Sequence, residues 1–306
     1  MFNIQSLKIL SENEVTESNE FNSYYKNLVA PGYFYMRHIT GKGQVCAVID
    51  SGCDTTHPLL KDRIIGGKNF TDEGNGEDDY SDLHGHGTHV AGLISSRSYG
   101  VFKGGIAHGA DLLICKVLKS DGRGSIDAIV EAVNYAIDRN VNVINMSLGT
   151  TVDLGSMYDA VRRAYDAGII VCCASGNAAG GDYGTVDELS YPGAYQEVIE
   201  VGSINEYKDP SYFSNSNNVV DCVCYGEKIL STFKDGMFAL LDGTSQATPM
   251  VSGAVLLIRE WFNKEFGRWP SKDEVYATLI KCTTTMRGYD RRQVGYGYID
   301  LGKLFK

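Results

Sequence analysis

The sequence predicts an α/β protein in a single domain, with a mostly parallel central sheet flanked by helices on both faces. Two observations carry that expectation. Short, nearly continuous apolar runs recur along the chain, of the kind that fill strands buried on both sides. Between them lie longer stretches whose apolar residues return at the spacing of one helix face, which is the pattern of parallel strands joined by crossover helices.

The first run, at residues 45–50, reads as a buried strand ending in an acid, Asp50. Residues 112–117, 143–146, 169–174 and 198–201 repeat that type. Ile126, Ile129, Val130, Val133, Ala136 and Ile137 fall on one helix face. Ala160, Val161, Ala164 and Tyr165 do the same ahead of Gly168, which suits the end of a helix. Residues 249–262 form a mostly apolar helix with Ala254, Leu257, Ile258 and Trp261 as its stripe. The domain is expected over residues 31–306, preceded by an extension, residues 1–30, in which residues 6–10 are a candidate strand.

The 306 residues are 43% hydrophobic and 22% charged, enough apolar surface for a sizeable core and too much for a disordered chain. With 35 glycines against 6 prolines, tight turns are expected in place of proline-rich linkers. The balance of 28 basic and 38 acidic residues, −10 overall, argues against nucleic acid as a partner, because phosphate binding wants clustered Lys and Arg. No apolar run is long enough to span a bilayer, and the polar first twenty residues lack the basic-then-apolar plan of a secretory leader. Of the eight cysteines, Cys46, Cys115, Cys172 and Cys173 lie inside apolar runs, so they read as reduced, buried thiols of a cytoplasmic protein.

Polar residues interrupt the apolar runs at strand ends, where open α/β sheets place their ligands. Three such places carry chemistry. Asp50, Ser51 and Gly52 close the first strand. His84, Gly85, His86, Gly87, Thr88 and His89 make a histidine-dense turn entering a small-residue helix. Asp242, Gly243, Thr244 and Ser245 form a glycine-bearing turn that puts a serine at a helix start. A serine hydroxyl is a weak nucleophile until a base takes its proton, and an imidazole held by a carboxylate is such a base. The histidine run by itself would also suit a metal hydrolase, but only His38, His57 and His108 remain as further histidine ligands. His89 is therefore expected beneath the site and His84 on a surface turn.

Acid, imidazole and hydroxyl in that chain order resemble the subtilase family of serine proteases, from about Gly41 to the C-terminus. The resemblance implies a triad of Asp50, His86 and Ser245, with Asn177 joining the Ser245 backbone as oxyanion donors. It implies substrate binding as an added strand along Gly122 and Gly124 on one side and Ser147, Leu148 and Gly149 on the other. Ala174, Ser175, Gly176 and Ser190 would line the primary pocket, and Ile126, Ile129 and Leu148 an outer apolar subsite. Asp182, Asp187 and Glu188 would stand at the pocket mouth and favour basic side chains.

The chain departs from the family pattern at Gln246, which stands where Gly-Thr-Ser is usually followed by methionine. The carboxylate-free residues 97–103 and Leu59 lead us to expect one family calcium site to be missing. A weaker cation site, built from carbonyls near Gly193, Tyr195 and Val198 plus Asp221, loses its second acid to Val219. The run Asp72, Glu73, Glu77, Asp78, Asp79 and Asp82 reads as a solvated loop or, less simply, a calcium loop. A structural calcium thus stays open, and none is needed for the chemistry. Within the family the chain is most similar to the intracellular subtilisins, on residues 66–72, 188–192, Tyr195 and 197–199. That implies peptide or unfolded-protein substrates, leaves a homodimer open, and suggests the extension as an inhibitor or a docking segment. A catalytically silent relative and a dedicated peptide-processing protease are the alternatives.

Overall fold

The computed structural model of the chain describes residues 7–17, 34, 36–179 and 187–305. After a short strand β1 (Leu7–Leu10) and helix α1 (Glu12–Glu17), the chain alternates much as its periodicity predicts. β2 (Val45–Asp50), β3 (Ile64–Asn69), α2 (His86–Ser95), β4 (Asp111–Lys116), α3 (Ile126–Asp138), β5 (Val143–Met146), α4 (Gly155–Asp166), β6 (Ile170–Ala174) and β7 (Ile199–Ile204) follow in order. The C-terminal third adds β8 (Cys222–Tyr225), β9 (Ile229–Thr232), β10 (Phe238–Leu241), α5 (Thr244–Phe266), α6 (Lys272–Lys281), β11 (Thr283–Thr284), α7 (Arg291–Val294) and β12 (Tyr298–Ile299).

Nine strands make one sheet in the order β11-β12-β8-β7-β6-β5-β2-β4-β3, parallel throughout except for β11 against β12. One face is covered by α2, α5 and α6 through Val90, Ile94, Met250, Val251, Val275 and Leu279. The other face is covered by α3 and α4 through Ile129, Val133, Met157 and Val161. Both faces are therefore apolar, which is why the strands read as unbroken hydrophobic runs rather than alternating ones. All eight cysteines are buried and unbridged, with Cys46, Cys172, Cys222 and Cys224 packed as ordinary members of the first core.

The expected helix at residues 249–262 is longer at both ends, running from Thr244 to Phe266 and stopping at Gly267 with φ 70°. It is buried on all sides from Thr244 to Glu260, so the stripe read from its sequence understates its place at the centre of the molecule. Pro249 consequently sits six residues into the helix, not in its first turn as expected. Its missing N–H deprives the Ser245 carbonyl of a helical partner, and the Ser147 hydroxyl donates to that carbonyl instead, at 2.9 Å.

A second, three-stranded sheet holds β1 against β10 and β10 against β9, all antiparallel. Leu10 of β1 and Val15 of α1 bury against Phe102 and Phe238. The candidate strand in the extension is thus seen at residues 7–10. Ser6 and most of the remaining extension lie outside the described residues.

Candidate active site

Asp50, His86 and Ser245 come from β2, α2 and α5, each at the carboxyl-end side of the central sheet. Asp50 ends β2, the strand flanked by β4 on one side and β5 on the other. Its buried carboxylate accepts from the Ser51 N–H at 2.7 Å and faces His86 Nδ1 at 2.8 Å through the same oxygen, Oδ1. Burial alone would push the His86 imidazole down; the Asp50 charge and hydrogen bond outweigh it, and the net shift is upward. An imidazole so held presents its Nε2 as the basic end, since Nδ1 carries the proton shared with the acid.

The turn into α2 is anchored by a residue that the sequence alone assigns to a solvated acidic run. Asp82 is buried, and its carboxylate accepts from the backbone N–H groups of His84, Gly85 and Thr88 and from the hydroxyls of Ser51 and Thr88. The Gly87 N–H donates to the Ser51 hydroxyl at 2.9 Å, tying the histidine turn to the end of β2. Gly87 lies so close to Gly52 that a Cβ there would run into the Gly52 carbonyl. Asp82 belongs to the site's frame, and since the helix N-cap is Gly85 with no side-chain cap bond, no capping signal in the sequence marks it out from the acidic run.

Three other acids of that run take partners from elsewhere in the fold. Asp72 pairs with Lys119 at 2.5 Å, Glu73 with Lys116 at 3.3 Å and Glu77 with Lys68 at 2.8 Å. Asp79 is pulled down to about 2 by the Ser81 hydroxyl and Asn75 and Ser81 N–H groups. Among the described residues, no group of three or more His, Cys, Asp or Glu side chains gathers as metal ligands do. His89 is buried under the site with Nε2 beside the carbonyls of Ile229 and Ala239, and burial drives its pKa down to about 3. His84 is half-buried on its turn, its ring 6.2 Å from that of His86.

Ser245 is the second residue of α5, so its N–H is among the first-turn donors without a helical acceptor. Its hydroxyl donates to the Ser147 carbonyl at 3.1 Å, and turning about the Cα–Cβ bond is what redirects it to an imidazole. A buried chain supports it from behind: Ser252 donates to Asn145 Oδ1, Asn145 Nδ2 donates to the Ser147 hydroxyl, and that hydroxyl holds the Ser245 carbonyl. Asn177, beyond the end of β6, has its Oδ1 engaged by the N–H and hydroxyl of Thr244 at 2.9 and 2.8 Å. That fixes which end of the amide is which and leaves Nδ2 as the donor end.

A cleft of about 780 Å³ opens beside Ser245 and Asn177. Leu148, Gly149, Ala174, Gly176 and Ser190 line it, together with Thr150, Thr151, Leu189, Asn215 and Thr244, which sequence reasoning missed because they come from four separate segments. Ser147 lies beneath the nucleophile rather than in the cleft. Ser175 is buried, its hydroxyl without a partner among the described residues. Gly122 and Gly124 belong to a turn closed by the bonds between Lys119 and Gly122 and between Lys119 and Arg123. Ile126 opens α3, and none of these three lines the cleft. At the mouth, Glu188 does line it, but its carboxylate accepts from the Ser216 N–H; Asp187 stands 3.6 Å from Arg292, and Asp182 lies outside the described residues.

Of the candidate cation ligands, Asp221 accepts from the Glu200 N–H through one oxygen and from the Tyr276 hydroxyl through the other, at 2.9 and 2.6 Å.

Comparison with known proteins places this geometry. The model of the subtilase family matches residues 41–298. An intracellular serine protease of Paenibacillus polymyxa is 48% identical over 262 residues, 85% of this chain and 80% of that protein. The major intracellular serine protease of Bacillus subtilis (strain 168) is 43% identical over 282 residues, 92% and 88% of the two chains. Subtilisin E of the same organism is 38% identical over 219 residues, 72% of this chain and 56% of its own.

Proposed function

The chain belongs to the subtilase family and is a subtilisin-type serine endopeptidase, and from that premise we propose that Ser245 is its nucleophile, His86 its general base and Asp50 the acid that orients the base. The observation that carries the assignment is the buried 2.8 Å contact between His86 Nδ1 and Asp50 Oδ1. Ser245 Oγ bonds to the scissile carbonyl carbon as its proton passes to His86 Nε2, and the carbonyl π pair moves onto oxygen. Asn177 Nδ2 and the Ser245 N–H receive that oxyanion at the positive end of α5. Collapse breaks the C–N bond, with His86 returning its proton to the departing amine. Water then repeats the sequence on the acyl-enzyme and frees Ser245.

The substrate reading rests on the cleft. Its Leu148, Leu189, Gly149 and Gly176 offer apolar and uncharged walls, and Glu188 is held by Ser216, which favours an uncharged side chain entering it. We assign the protein an intracellular role in degrading peptides and unfolded proteins, supported by the names of its two intracellular relatives and by eight buried, unbridged thiols. Labelling by a serine-directed fluorophosphonate, abolished in Ser245→Ala, tests the nucleophile; an unlabelled wild-type protein overturns it. Broad digestion of casein separates a general protease from one dedicated to a single peptide.

The extension is the regulatory element in this reading. Its strand β1 pairs with β10, and β10 runs through Asp242 and Gly243 directly into the turn bearing Ser245. Removing the first thirty residues is expected to raise activity on an unfolded protein. Equal specific activity before and after trimming would make the extension a docking segment only.

A further inference from the structure

Gln246 follows the nucleophile directly. Its side chain is 1% exposed, and its Nε2 has no hydrogen-bond partner among the described residues. A buried amide donor left unpaired costs about 1–3 kcal/mol, so a side chain of this kind next to reacting atoms calls for a reason. Its position supplies one. Gly243, at φ 153°, bares one face of the turn: a Cβ built there would meet Gln246 Oε1 at 2.8 Å and Asn177 Nδ2 at 3.2 Å. The two amides therefore flank the same bare backbone, on the turn that carries Ser245. Asn177 is locked in orientation by Thr244, whereas no bond to Nε2 locks Gln246.

The two ends of a carboxamide have nearly the same shape, so a half-turn about Cγ–Cδ exchanges Oε1 and Nε2 without repacking. In the resting enzyme no hydrogen bond to Nε2 selects one orientation over the other. Negative charge on the substrate carbonyl breaks that balance, because it repels Oε1 and accepts from Nε2.

We propose that Gln246 is a third side-chain or backbone donor of the oxyanion hole, its amide turning so that Nε2 joins Asn177 Nδ2 and the Ser245 N–H on the tetrahedral oxyanion. No bond is made or broken at Gln246 and no proton leaves it. The contact forms only as the charge develops, so it stabilises the transition state and not the bound substrate. The inference rests on the assignment of Ser245 as nucleophile.

The test compares wild type with Gln246→Met and Gln246→Leu, two apolar side chains of similar volume that cannot donate. Turnover of a peptide substrate is measured alongside binding of a peptide boronic acid, which forms a tetrahedral adduct on serine, and of a noncovalent product peptide. Both variants are expected to lose roughly ten- to hundredfold in kcat with KM within about twofold, and boronate affinity falls in step while product affinity holds. Combined with Asn177→Ala, the losses are less than multiplicative, since both donors serve one oxygen. Fluorophosphonate labelling distinguishes the two levels. No labelling of wild type overturns the nucleophile assignment and this one with it. Normal labelling with kcat within about twofold in both variants, or unchanged boronate affinity, overturns the Gln246 assignment alone.

Discussion

Replacing Glu200 by glutamine should stabilise the protein, increasingly as pH rises from about 4.5 to about 8. Glu200 lies on β7 at 1% exposure, with Oε1 accepting from Asn217 at 3.1 Å and Oε2 without a partner among the described residues. Burial raises its carboxyl from the ordinary 4.5 to about 8; the Asn217 hydrogen bond opposes that rise and the nearby Asp221 charge adds to it. Between those two values the folded protein keeps a proton that the unfolded chain has released, so stability falls as pH rises through the window. The span is about 3.5 pH units at about 1.4 kcal/mol each, a ceiling near 5 kcal/mol that relaxation and water entry reduce to roughly 2–4. Glutamine keeps an acceptor for Asn217 and never ionises. In a Ser245→Ala background, which prevents self-digestion, urea or thermal unfolding should show Glu200→Gln within about 0.5 kcal/mol of its parent at pH 5. At pH 9 it should be about 2–4 kcal/mol more stable, or roughly 4–8 °C in Tm. A stability gap that does not change between pH 5 and 9 would refute the reasoning.

Three further outcomes follow from the site. Asn177→Ala should lower kcat by about 10²–10³ with little change in KM, a magnitude known from a relative in this family; steady-state kinetics on a peptide substrate measure it, and a loss confined to KM would contradict the oxyanion role. His86 must be neutral to accept the serine proton, and the Asp50 charge and hydrogen bond hold its pKa above 6.5 despite burial, so kcat/KM should fall with acidification through a midpoint above that value. A pH profile with its acid limb centred below 6.5 contradicts this. Gly87→Ala pushes a Cβ into the Gly52 carbonyl, a backbone atom that cannot swing aside, and should destabilise the fold by about 2 kcal/mol or more in urea unfolding while sharply lowering kcat.

How much of this was legible in the sequence divides along a physical line. Strands such as β2 and β5 were readable because burial on both faces demands an unbroken apolar run, and α3 and α4 because one buried face imposes its period. Strands β3 and β8 to β12 were not anticipated: β3 carries Gly66 and Gly67 and is mostly half-buried, and β11 and β12 are only two residues long. Asp50, His86, Ser245 and Asn177 could be picked out because each sits at a strand end or turn within a motif whose residue types the chemistry requires.

What the sequence determined by itself was therefore the central strands β2, β4, β5, β6 and β7 with the helices α3, α4 and α5, the order of acid, base and nucleophile, and the family those residues resemble. Tertiary structure alone decided that Asp82 is the anchor of the histidine turn, that Lys68, Lys116 and Lys119 pair with Glu77, Glu73 and Asp72, and that Ser147 completes the bond Pro249 leaves unmade. It also decided that the Gln246 and Asn177 amides lie against the same bare face of Gly243. The reason is the same in each case: a motif records which groups lie near one another along the chain, whereas hydrogen bonds and ion pairs are satisfied between segments that only folding brings together.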